Sequence, residues 1–420
     1  MASVLELTVH AGQVDRESVL VVAHVSPRDR SLAAVLRSAQ VTLGPVGGQS
    51  ELAGVMLEEA GGPGGRIAGQ FDAASGELAF VAPGNMAPGS ARRFRVLEGE
   101  APAQHAQAIQ KLDRAIFLVG GQPFATYQVL GARRPYFWPV LGPSGASVVR
   151  GQGTGDHPHH TGMNLTYGGH SEGGSSNIWS DWDEPPYGPG GRMLHRGFRR
   201  VVSGPVYAEV VHDLTYVNAY GDPIVDEVRT VRCWWGSPAE RYLDFRFDVL
   251  SATDRGPRPF FFAIRLPQFM GIPEVGKITN SAAYPVPAPQ GQERYFRAEW
   301  IDASGPTSEP PRAPATAPPE VLVDDPSYVA PKKGPGTGPW NGIALFDHPE
   351  NNGYPNIHGK YAGGRGAVQM TQAHYPPERA PGGPFTFRHR VYVHDGDAEQ
   401  AKVAARHAAY AQPCHVEVSG

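Results

Sequence analysis

YLDFRFDVL, residues 242–250, alternates without a break. Strand side chains repeat every two residues, so Leu243, Phe245, Phe247 and Val249 share one face and Asp244, Arg246 and Asp248 share the other. One face is buried and the other wet, which is the pattern of an antiparallel sheet packed on one side. The same reading extends to AEVVHDLTYV (208–217), DEVRTVRCWW (226–235), RPFFFAIRL (258–266) and PFTFRHRVYVH (384–394), all rich in Val, Phe, Tyr and Thr. In the 420-residue chain, 52 glycines and 41 prolines fall between short apolar runs, the punctuation of an all-β protein with many turns. Only DAEQAKVAARHAAYAQ, 397–412, reads as a helix, with Asp397 as its expected N-cap.

The length exceeds what one core usually serves, so two units are expected. Short strand candidates SVLVVAHV, AQVTLG, GELAFVAPG and ARRFRVLE divide the first hundred residues and predict a small β-sandwich over 1–104. Residues 115–400 hold most of the Trp and His and predict a large antiparallel β-sandwich that carries the chemistry. A Pro-rich stretch, 281–339, reads as an excursion over the surface.

Formal net charge is -4, with no Lys/Arg block interleaved with aromatics, which argues against a nucleic-acid partner. Cys233 and Cys414 have no metal-ligand or redox spacing. The N-terminus lacks a basic region ahead of an apolar run, and no apolar run reaches the length of a membrane span, so a cytoplasmic protein without membrane contact is expected. The glycines at 61–65 and 188–191 lack a phosphate-loop context, and no nucleotide cofactor is expected. A homo-oligomer is compatible with the sequence.

The chemistry concentrates in GDHPHHTGMNLTYGGH, 155–170, which sets His157, His159, His160 and His170 within sixteen residues. Burying several imidazoles costs desolvation, so such a cluster points to a ligand, a moving proton or solvent exposure. Downstream, SSNIWSDWDEPPYGPGGRMLHRGF, 175–198, brings Trp179, Asp181, Trp182, Asp183, Glu184, Tyr187 and His195. Aromatic faces beside carboxylates suit a small sugar or oligosaccharide, whose C–H face stacks while its hydroxyls pair with polar groups. A core reading, with tryptophans beside a solvated acidic turn, has equal standing. His348, His358 and His374 follow late, in turn-rich sequence between 341 and 379. Three imidazoles with a carboxylate could hold a divalent metal ion, although no HExxH-type spacing is present.

The order RRPYFWPVLGPSGASVVRG, GDHPHHTGMNLTYGGHSEGGSSNIWSD, GRMLHRGF, RAEWIDASG, GIALFDHPENN and HRVYVHDGD resembles the PmoA-like family of soluble β domains, over roughly residues 120 to 400. The resemblance implies a large antiparallel sandwich of the kind common among carbohydrate-active proteins, with DHPHH in its concave face. It also implies site histidines at His157, His159, His160, His195, His348 and His358. The long Pro-rich segment and NIWSD depart from the family's pattern.

Together these readings predict a carbohydrate-active enzyme that cleaves a glycosidic bond, by β-elimination on an oxidised sugar. His159 or His160 is the expected base, His195 or Tyr187 the acid, and His157, His348 and His358 the metal or enolate ligands. Trp138, Trp179, Asp181, Trp182, Glu184, His170 and His374 are the expected substrate contacts. The alternatives are a two-carboxylate glycoside hydrolase, a non-catalytic sugar-binding protein and a metal-dependent sugar isomerase or oxygenase. All versions require the early and late imidazoles to meet in one hollow.

Overall fold

The computed structural model describes residues 5–26, 52–62, 65–97, 103, 105–151, 160–168, 174–180, 189–252, 258–271, 275–286, 295–307, 338–363, 366–375 and 384–419. The N-terminal unit contains β1 (Glu6–His10), β2 (Arg16–His24), β3 (Leu52–Glu59), β4 (Arg66–Asp72), β5 (Glu77–Met86) and β6 (Ala91–Leu97). The larger unit begins with β7 (Ala106–Gln110), β8 (Arg114–Val119), β9 (Gln122–Gln128), β10 (Tyr136–Val140), β11 (Met163–Tyr167), β12 (Arg192–Val202) and β13 (Tyr207–Val217). It continues with β14 (Pro223–Ser237), β15 (Glu240–Ala252), β16 (Phe260–Arg265), α1 (Gln268–Gly271), β17 (Lys277–Asn280), β18 (Tyr295–Arg297) and β19 (Trp300–Pro306). Last come β20 (Trp340–Asp347), β21 (Ile357–Gly363), β22 (Gly366–His374), β23 (Phe385–Asp395), α2 (Val403–Ala411) and β24 (His415–Ser419).

Two antiparallel sheets form the large sandwich. One has nine strands in the order β18-β21-β22-β16-β11-β10-β9-β8-β7, the other eight in the order β12-β13-β14-β15-β23-β20-β19-β17. The 242–250 stretch lies within β15, near the centre of the eight-stranded sheet, and Leu243, Phe245, Phe247 and Val249 are all in the core between the sheets. On the outer side Asp244 takes two hydrogen bonds from Arg390, at 2.6 and 2.8 Å, and Arg246 pairs with Asp248. The core is strongly aromatic: Phe247 stacks on Phe387 at 4.8 Å and Phe137 on Tyr127 at 4.5 Å.

The N-terminal unit is one seven-stranded sheet, β2-β5-β4-β3-β6-β1-β24, wrapped around its own apolar core. Its last strand comes from the far end of the chain, where β24 pairs with β1 from Glu6↔Ser419 to His10↔His415. The unit expected over 1–104 is therefore completed by residues that follow the sandwich. AQVTLG, 39–44, lies outside the described residues.

Two expectations need correction. The 281–339 stretch is not all surface excursion, because β18 and β19 lie in it. Ile301 and Ala303 enter the core, and β19 pairs with β17 and β20. The alternation of WIDASG outweighs the prolines around it. Asp397 does not cap the helix: its carboxylate accepts from Gln400 N at 3.1 Å in a preceding turn, and α2 begins only at Val403, after Lys402 in the left-handed region. No helix among the described residues is long and apolar enough to cross a membrane.

Buried polar side chains join the two units. Gln70 Oε1, on β4, accepts from Val206 N and Tyr207 N, both at 3.2 Å. Arg232 donates to Glu77 of the first unit and to Glu209 of the second, both at 2.9 Å, and Arg200 pairs with Asp72 at 2.8 Å. Gly204 passes so close to Gln70 that a Cβ there would stand 2.0 Å from Oε1. Gly204→Ala is expected to displace the Gln70 amide, break both bonds and cost about 1–3 kcal/mol, read as a lower urea midpoint.

Candidate functional site

Strands β11, β16 and β22 stand side by side within the nine-stranded sheet. Met163, Leu165, Tyr167, Phe260, Phe262, Ile264 and Met370 face the core. The alternate positions face away from it, and registers Asn164↔Ala263, Arg265↔Gln369 and Ala263↔Thr371 set them in rows. An outward face would ordinarily be solvated. Here Asn164, Thr166, Arg265, Gln369 and Thr371 are all buried.

The cover comes from the segments flanking β11. Gly162 turns the chain into the strand with φ +51°, and a Cβ there would meet Phe137 O at 2.3 Å, so glycine is required. Beyond β11, Ile178 N donates to Tyr167 O and Trp179 N to Asn177 Oδ1, which folds the NIW segment back. The His160 ring meets Trp179 edge-on at 5.7 Å, and Trp179 meets the outward Phe261 edge-on at 5.6 Å. Arg134 braces this roof by donating to Asn164 Oδ1 at 3.0 Å and to Ile178 O at 3.2 Å. Among the described residues the result is a covered polar layer holding the His160 imidazole, the Trp179 indole and the guanidiniums of Arg134 and Arg265, with Arg150 buried alongside. Buried cations and amides at this density are unusual for a face that need only be wetted.

The late histidines lie elsewhere. His374, on β22, follows the inward alternation, stacks on Phe387 at 4.6 Å and faces His389 of β23, Nε2 to Nε2 at 2.7 Å. His358, on β21, stacks on Phe296, and its Nε2–H donates to Ala298 O at 3.0 Å. Burial lowers its pKa to about 4 and that of His389 to about 3. Asp347, at the end of β20, closes this interior group: one ligand atom each from Asp347, His374 and His389 lie within 4.8 Å of one another. His348 points the other way. It packs edge-on against Tyr410 of α2 at 5.1 Å, and its Nδ1 accepts from Glu350 N.

The early and late histidines therefore do not share one hollow among the described residues. His160 lies on the outer face of the nine-stranded sheet, while His358 and His374 lie on its inner face. His348 and His358, expected as ligands of one ion, are separated by the alternation that sends Asp347 inward and His348 outward. Of the expected ligands and contacts that lie among the described residues, only His374 joins the group that could hold a metal, beside Asp347 and His389. His389 occupies an inward position of the stretch read as FTFRHRVYVH, and an imidazole on an apolar strand face was the signal available.

His195 also sits between the sheets. Its Nδ1 is 2.6 Å from Nε2 of buried His212, whose Nδ1 is 2.9 Å from the Tyr127 hydroxyl. Arg229 donates to the Tyr127 oxygen at 3.1 Å, so that hydroxyl donates to His212 Nδ1, and His212 Nε2–H donates to His195. Arg229 also pairs with Glu227 at 2.8 Å, and Tyr216 donates to Glu227. Trp179 is buried under the roof, whereas Trp138 is half-buried against Gly151, where a Cβ would come within 2.8 Å of the indole. His157, His159, His170, Asp181, Trp182, Glu184 and Tyr187 lie outside the described residues.

Burial, with Arg229 nearby, holds the His212 pKa down to about 2, so the folded chain refuses a proton that the unfolded chain accepts near pH 6.5. The stability from keeping His212 neutral is complete above that pH and falls as pH drops toward the folded value. Between pH 7 and 5 this one group should remove about 2 kcal/mol. Urea unfolding at both pH values should show a smaller loss in His212→Gln than in the parent chain.

Residues 115–408 match the model of a family described as a family of unknown function, DUF6807. No curated protein matches the chain. Among solved structures, it is similar to a protein in the glycosyl hydrolase family 38 from Enterococcus faecalis, with a TM-score of 0.40 and 8% identity. That alignment covers 99% of this chain and 47% of the other, so this chain spans about half the length of that protein.

Proposed function

The chain belongs to the family of unknown function DUF6807, and we propose, from the covered polar face, that it is an enzyme acting on an oxidised, carboxylate-bearing carbohydrate. The observation that carries this reading is the placing of Arg134 and Arg265 with His160, Asn164, Gln369 and Thr371 under one roof on the outer face of the nine-stranded sheet. Guanidiniums match a planar carboxylate, while amides and hydroxyls match sugar hydroxyls. Trp179 is turned edge-on to His160 and buried, which favours a reacting pocket over an open stacking platform.

The proposed reaction is β-elimination. A base takes the proton from the carbon next to the carboxylate, and the C–H electron pair becomes a C=C bond. The glycosidic C–O bond then breaks, its electrons leaving on the oxygen, which an acid protonates. His160 is the proposed base, and Arg134 and Arg265 stabilise the charge that builds on the carboxylate. Tyr187 is the proposed acid. His195 is released from that role, because its ring lies between the sheets against His212. Metal ligation likewise leaves His348, which packs on α2.

A screen of uronide-containing oligosaccharides, read by the ultraviolet absorbance of the unsaturated product, tests the proposal. His160→Gln should lower kcat about 10²–10⁴-fold. Arg265→Gln should raise KM for the charged substrate more than for its neutral counterpart. Tight binding of uronides without turnover would replace the enzyme by a sugar-binding protein. Equal acceptance of neutral glycosides would remove the charge argument.

A further inference from the structure

We infer that Asp347, His374 and His389 form a binding site for a divalent transition-metal ion that ties the two sheets of the sandwich together. Asp347 is buried, and its carboxylate accepts from Asn351 Nδ2 at 2.7 Å, from His348 N at 3.0 Å, and from Asn356 N at 2.7 Å and Nδ2 at 3.2 Å. These donors are neutral, and among the described residues no lysine or arginine pairs with it. They orient the carboxylate without neutralising it. A cation in the interior would do so.

His389 is arranged to supply a lone pair. Phe346 O can only accept, so His389 Nδ1 at 3.1 Å carries the proton and its Nε2 lone pair faces His374. A carbonyl behind one ring nitrogen, setting the tautomer for the other, is the usual support of a metal-bound histidine. Without an ion, His374 Nε2–H donates to His389, which leaves His374 Nδ1 buried with no hydrogen-bond partner. The ring is pinned by its stack on Phe387, so it does not turn to find one.

An ion about 2.1 Å from each donor needs ligand separations of roughly 3.0–3.4 Å. The two Nε2 atoms stand 2.7 Å apart and one ligand atom of each residue lies within 4.8 Å of the others, so the imidazoles would part slightly and the donors would adjust to that spacing when an ion binds. Two imidazoles and one carboxylate suit Zn²⁺, Fe²⁺ or Mn²⁺ rather than Ca²⁺, which prefers an all-oxygen shell. Asp347 and His389 belong to the eight-stranded sheet and His374 to the nine-stranded one, so the ion bridges the layers. The same strand, β22, carries Gln369 and Thr371 on its other face. The ion would thus hold in place a strand of the polar layer without touching substrate.

The test uses the full chain, stripped with a chelator and then titrated separately with Zn²⁺, Fe²⁺ under anaerobic conditions and Mn²⁺. The readouts are elemental analysis after desalting and the thermal midpoint. The expected result is about one ion per chain and a midpoint that rises with metal concentration, as ligand binding to the folded state requires. Asp347→Asn and His389→Gln should each lose the uptake and the rise, whereas His348→Ala, outside the group, should keep both. Circular dichroism establishes that each variant is folded. If one variant fails to fold, the other with His374→Gln decides. Absence of stoichiometric uptake of all three metals by the parent chain, or undiminished uptake in the folded ligand variants, overturns the site whether or not a sugar substrate is found.

Discussion

A β-strand has two faces, and the nine-stranded sheet buries both of them along β11, β16 and β22. This constraint governs everything that the large unit can do. Inward positions serve a core of stacked aromatics, and outward positions are free of that duty and carry Asn164, Arg265, Gln369 and Thr371. A shift of register by one residue would exchange the two sets. Histidines that are neighbours through the sheet are therefore chemically remote, because a hydrogen-bonded backbone layer stands between them.

The inner face is not purely apolar. Arg229 and Glu227, almost wholly buried, pair at 2.8 Å, and Tyr216, Tyr127, His212 and His195 extend the network to the edge of the sandwich. Burial of such a pair is tolerated because each charge meets hydrogen bonds as well as its partner. The neutral histidines around it are kept neutral by desolvation, not by their sequence neighbours. Such a core is rigid and directional, which suits a scaffold that must hold a polar layer on its other side.

Much of the architecture was legible in the chain. The alternation of 242–250 and its companions located the central strands and said which residues would be inward. The contribution of β24 to the first sheet was not legible, since pairing between residues 6–10 and 415–419 leaves no local trace. Nor were β18 and β19, whose short alternation is overshadowed by the surrounding prolines. For the covered polar layer, local sequence drew attention to His160 and Trp179 through clustering but passed over Arg134 and Arg265, which are ordinary until the fold buries them.

The sequence by itself determined that this chain forms sheets, which side of each main strand turns inward, and that imidazole is concentrated in two regions. Tertiary structure decided that His160 lies on the outer face of the nine-stranded sheet and His358 and His374 on its inner face, and that His374 meets His389 and Asp347 rather than His160. The physical reason is that periodicity along a strand specifies a face, whereas the partners met on that face are set by strand order and by sheet packing, which arise from contacts between residues far apart in the chain.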